Sequence, residues 1–172
     1  MDWNAVSAWI SAVGLGGTAL SAWIALTEMR QNHKWNQNKA SEETLSRLVL
    51  GEFPESLDRL VSAFKWDPIG ESRQYADVIK DMSDDDVFEL NRLLRRLFRI
   101  LETVFIHVKH GILSEVVCYD YLASIVPNMY RKCGAFIEGE RQRRGDQRVF
   151  ENFTRYANLW HERNKRAGVI VP

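Results

Sequence analysis

The sequence predicts an all-α protein, with one N-terminal transmembrane helix followed by a cytoplasmic bundle of about five helices. Three observations predict it. Residues 3–27 run without a single charged side chain. From Leu57 onward, apolar residues recur at the three- and four-residue spacing of a helix with one buried face. No stretch alternates polar and apolar residues as a half-buried strand does. The boundaries that follow are a transmembrane anchor over 1–28, a polar helical stalk or linker over 29–50, and a cytoplasmic helical domain over 51–172.

A helix over residues 3–27 rises about 1.5 Å per residue and reaches about 37 Å, enough to cross a bilayer with some tilt. A secretory signal would need a basic leading region, and here only Asp2 precedes the apolar run. Trp3 and Trp23 lie near its two ends, where indole rings favour the headgroup level. Small residues recur every four positions along three lines: Ala8, Ala12 and Gly16; Gly14, Thr18 and Ala22; Gly17, Ser21 and Ala25. Such lines let helix backbones approach closely in lipid, so the span is expected to form a homo-oligomer. Arg30, Lys34 and Lys39 follow the span, and nothing basic but the α-amino group precedes it. The positive-inside rule then puts the N-terminus outside and residues 30–172 in the cytoplasm.

The elements after the span follow in order. Residues 28–44 are polar almost all round and lead into "LSRLVL", which Gly51 ends. Pro54 suits the first turn of a new helix that spaces Leu57, Leu60, Val61 and Phe64 on one side. "DPIGES" is a turn, and "RQYADVIKDM" a shorter helix. The strongest pattern covers 84–110. Ser83 is a good N-cap, Asp84, Asp85 and Asp86 suit the positive end of the helix dipole, and Gly111 stops the helix. Between them Val87, Leu90, Leu94, Leu97, Leu101, Phe105 and Val108 form one apolar stripe. Ser114 restarts a helix that Pro127 is expected to break or kink. After Gly145, residues Val149, Phe150, Phe153, Tyr156, Ala157 and Trp160 share the inner face of a last helix.

The order "IHVKHGILSEVVCYDYL", "NMYRKCGAFIEGERQRR", "VFENFTRYANLWHER", preceded by a Trp-containing span, resembles an uncharacterised bacterial family. Its members are small membrane-anchored helical proteins, catalogued as a domain of unknown function. The resemblance covers residues 3–35 and 85–163. It implies the anchor, the helical fold and a bacterial inner-membrane location, and brings no catalytic residue with it.

Net charge is zero, yet residues 40–90 carry a net −8 and residues 91–172 a net +7. The two halves can attract one another or face different partners. Arg92, Arg95, Arg96 and Arg99 fall within about 100° of arc opposite the leucine stripe. Such a face is solvated, or binds an anionic ligand through planar bidentate donors, or docks the acidic 51–89 region of a neighbouring chain. "GERQRRGDQR" is a basic turn, either solvated or lying against anionic lipid. Arg155 and His161 match the R-x(4–6)-H spacing of HEPN-type ribonucleases, although Tyr156 stands where a polar residue is usual. Four His and 16 Arg in 172 residues make one such match expected by chance.

His107 and His110 have no third ligand at a defined spacing and suit the negative end of a helix dipole. Cys118 and Cys133 have neither CxxC spacing nor a His cluster, and read as small buried hydrophobes in a reducing compartment. There is no phosphate loop of the GxxxxGK[ST] or GxGxxG type, and no GxSxG nucleophile elbow. No metal or cofactor is expected, and nucleic acid is not an expected partner. The expectation is therefore a membrane-tethered, oligomeric, non-enzymatic protein that binds a protein partner or an anionic signal at the arginine face. Its architecture suits a membrane-perturbing stress or anti-phage effector. The enzymatic alternative is a membrane-anchored HEPN-like ribonuclease using Arg155 and His161.

Overall fold

The computed structural model describes residues 3–50, 52–64 and 73–168, with side chains for 23–47, 55, 58–64 and 73–168. Among these residues the only regular elements are helices: α1 (Trp3–Leu50), α2 (Glu52–Ala63), α3 (Tyr75–Val78) with a 3-10 turn (Ile79–Asp81), α4 (Asp84–Lys109), α5 (Glu115–Leu122), α6 (Ile125–Arg144) and α7 (Glu151–Arg166). Among the described residues six α-helices follow α1 where about five were expected, because the helix that Ser114 starts is divided into α5 and α6.

α4 forms where its local signals place it. The Ser83 hydroxyl accepts from the Asp86 N–H at 3.3 Å, and Gly111, at φ +68°, ends the run in the left-handed region. Leu90, Leu94, Leu97, Leu101, Phe105 and Val108 are buried, joined by Phe98 and Val104 beside the stripe. Pro127 does not break the chain as expected. The break falls before α6, and Pro127 is the third residue of that helix. In the first turn no intrahelical N–H bond is needed, so proline fits there without cost.

α4, α6 and α7 enclose an aromatic core. The Phe98 ring centroid lies 4.8 Å from Phe153, 5.3 Å from Phe150 and 5.7 Å from Phe136. Phe105 stacks on Tyr156 at 4.9 Å and meets the edge of Trp160 at 5.2 Å. α7 begins awkwardly. Its N-cap, Phe150, sits at φ 57° and brings no capping side chain of its own. Glu102 on α4 supplies the missing acceptor, taking the Asn152 N–H at 3.2 Å, the Asn152 amide at 2.7 Å and the Phe153 N–H at 2.8 Å. A carboxylate at a helix N-terminus also meets the positive end of the dipole. Glu102→Ala is expected to cost about 1–3 kcal/mol, by the usual scale for orphaned backbone donors, and thermal unfolding measures it.

The segment read as a stalk or linker is helical, and its second half is not free. Ser41 and Leu45 of α1 are fully buried against the bundle. Among the described residues no helix is long and apolar enough to cross a membrane. The expected span falls mainly on residues 3–22, whose side chains lie outside those described. The packing lines of Ala8, Ala12, Gly16, Gly14, Thr18 and Ala22 lie there too.

Candidate functional site

α4 carries its arginines on the outward face, flanked by α2 on one side and α6 on the other. Arg92 is exposed and pairs with Glu89 one turn earlier at 3.1 Å, an exposed contact of little energetic weight. Arg96 and Arg99 are exposed. Arg95 turns toward α6 instead, and its side chain is 29 % exposed. Its Nε donates to Glu140 at 3.0 Å. Glu140 is itself only 5 % exposed and also receives Arg143 at 2.7 Å and Arg144 at 3.5 Å. The Arg143 hydrogen bond holds the Glu140 carboxyl below its ordinary range, against the effect of burial, and Arg95 adds to the lowering. Arg95 of α4 and Arg143 and Arg144 in the last turn of α6, far apart in sequence, therefore converge on one buried carboxylate.

Two shallow grooves lie along this face. One, about 470 Å³, is lined by Arg92, Arg95, Arg96, Arg99 and Ile100. The other, about 640 Å³, runs between α2 and the first half of α4, with Glu55, Arg59, Asp86 and Glu89 among its walls. Phe88, one turn before Arg92, is 61 % exposed. The face is thus a mixed-charge stripe with an exposed aromatic ring in it.

The basic turn is less free than its composition suggests. Arg141 donates to the Val149 carbonyl and the Thr154 hydroxyl, both at 3.1 Å, and so ties α6 to α7. Arg148 pairs with Asp146 at 3.2 Å.

A second polar constellation joins α1 to the corner between α4 and α5. The Gln37 amide donates to the Gly111 carbonyl. The Ser41 hydroxyl donates to the Gln37 carbonyl at 2.6 Å and accepts the Ser114 N–H at 2.7 Å. Gly111 adopts a left-handed conformation against Gln37, so this corner is a fitted socket. Ser41→Val leaves the part-buried Ser114 N–H without its acceptor. It is expected to cost about 1–3 kcal/mol and to speed hydrogen exchange at the Ser114 amide. Unchanged protection there would show that the contact contributes nothing to stability.

Arg155 and His161 are not brought together. Both are exposed on α7, about 120° apart around the helix and about 9 Å along it. Neither lines either groove. Cys118 and Cys133 are buried free thiols. Burial pushes Cys118 up to about 11 and Cys133 up to about 12, far from thiolate chemistry. Among the described residues no group of three or more His, Cys, Asp or Glu is placed to hold a metal ion.

Comparison with known families decides the relationship. The family model described as a domain of unknown function, DUF4760, matches residues 15–160. The chain belongs to the DUF4760 family. The match includes the docked half of α1, the arginine face of α4 and most of α7, so both constellations lie within the DUF4760 region. No curated protein and no solved structure matches the chain.

Sequence reading missed the groups that organise these sites. Gln37, Ser41, Glu102 and Glu140 act on partners 45 to 74 residues away. One faint signal existed, since Glu140 stands just before a basic run at the spacing that lets Arg143 and Arg144 fold back on it.

Proposed function

We propose that this DUF4760 protein is a membrane-tethered, self-associating, non-enzymatic module. The N-terminal part of α1 is its single-pass anchor, and the helical bundle, on the cytoplasmic side, offers the α4 arginine face to a protein partner. One observation carries the anchor. Trp23, Ile24, Leu26 and Met29 are 64, 44, 54 and 68 % exposed, and at 100° per residue they point to all sides of α1. A helix that is apolar all round is buried in a large protein or in a membrane. Trp23, Ile24 and Leu26 belong to the uncharged run of residues 3–27, and Met29 lies just beyond Glu28. The exposed Trp35, with Lys39 5.3 Å from its ring centroid, suits the headgroup level beyond it.

The same helix is latched to the bundle through Gln37 and Ser41, so movement at the α4–α5 corner would pass along α1 to the span. This supports an effector that perturbs the membrane when its arginine face is engaged.

Membrane fractions from cells expressing the full chain test the anchor. Retention in the pellet through alkaline carbonate extraction, with release by detergent, is the expected result. Release by carbonate alone would rule the anchor out.

A further inference from the structure

The partner of the α4 face can be named from its charge order. Asp84, Asp85, Phe88, Arg92, Arg96 and Arg99 are all exposed and fall within about 120° of one another on the α4 surface. Their sequence order is acid, aromatic, base. A polyanion laid along this stripe meets carboxylates at one end, which argues against a phosphate-rich ligand. A stripe of the same order run in the opposite direction meets opposite charges at both ends.

We propose that the α4 face docks on the α4 face of a second copy of this chain, antiparallel, about a two-fold axis near residues 90–92. This rests on the reading of α4 as a docking face and names its partner. Asp84 and Asp85 of each copy then lie opposite Arg96 and Arg99 of the other, at the groove of about 470 Å³ that the four arginines line. Phe88 of each copy lies against the Arg92–Arg95 guanidinium groups of the other, a cation–π arrangement. The contact is isologous, and every attraction occurs twice. Glu140 anchors Arg95 from behind, so part of the basic surface is already ordered before the copies meet.

The test uses the full chain in detergent with Arg92→Cys as a probe. Position 92 lies near the axis and faces its own copy there, while the two native thiols are buried. A mild oxidant takes the two electrons and two protons released when the thiols introduced at position 92 of two copies join as a disulfide. Arg155→Cys, exposed on α7, reports random encounter. The expected result is cross-linking through position 92 at least tenfold faster than through position 155. Added to the probe, either Asp84→Lys with Asp85→Lys or Arg96→Glu with Arg99→Glu should abolish that advantage. Mixing the two reversed chains should restore it, because each then presents one sign to the other.

Equal cross-linking at both positions, or no rescue on mixing, would overturn the pairing. Cross-linking driven by the spans alone gives the first of those outcomes. Failure of the membrane reading is separate, since it is seen in carbonate extraction whatever the cross-linking shows.

Discussion

Phe98→Ala is expected to destabilise the bundle by about 3–5 kcal/mol, the range for emptying a fully buried aromatic site. Phe98 is 0 % exposed and its ring meets Phe136 of α6 together with Phe150 and Phe153 at the start of α7. No single neighbour can collapse into the space, because each is held by a different segment. Phe150 is further constrained by its left-handed backbone. Domains of this size have about 5–15 kcal/mol to lose, so the variant should sit near the edge of folding. Denaturant unfolding followed by far-UV circular dichroism measures it. Phe98→Leu, which refills most of the volume, should recover more than half of the loss. A loss below about 1 kcal/mol for the alanine variant would mean that α4, α6 and α7 do not share one core.

How far the fold was legible follows from the range of each signal. α4 was readable almost to its ends because everything that makes it is local: the Ser83 cap, three aspartates, a stripe at regular spacing and Gly111. The inner face of α7 was readable for the same reason, yet its first residue was not. Val149 and Phe150 continue the apolar spacing, but the helix starts at Glu151, where Glu102 supplies the cap from another helix. Pro127 misled because a local rule was applied without knowing the register: the same residue breaks an interior turn and fits a first one.

The arginine face was partly legible. Helical geometry groups the four residues, while only the packing of α6 reveals that Arg95 belongs to a buried ion cluster. The α1 latch could not be read at all, since Gln37 and Ser41 are ordinary polar residues until Gly111 and Ser114 arrive opposite them.

Glu140→Ala is expected to loosen the hold of α4 on α6, for an electrostatic reason. The carboxylate is 5 % exposed and Arg95 is 29 % exposed, whereas Arg143 is 55 % exposed and can turn to water. Removing the acid leaves Arg95 half-buried against α6 without its counter-charge. Breaking a fully buried pair costs about 3–5 kcal/mol, and partial access to water brings this one to about 2 kcal/mol. The pairing with Arg95 is separable from general loss of packing. Arg95→Met with Glu140→Leu removes both charges and should be much less damaging than Glu140→Ala.

Acid titration gives an independent reading. The folded carboxyl titrates below its ordinary value of 4.5. As pH falls, the unfolded chain binds the proton first, so the stabilisation is complete above that value and is lost as pH drops through the folded one. In Glu140→Gln that part of the acid-induced loss should vanish. The variant should therefore be less stable than the parent near neutrality and converge with it in acid. Parallel curves across the whole acid range would place the origin of acid sensitivity elsewhere and remove Glu140 as the carboxylate that holds α4 to α6.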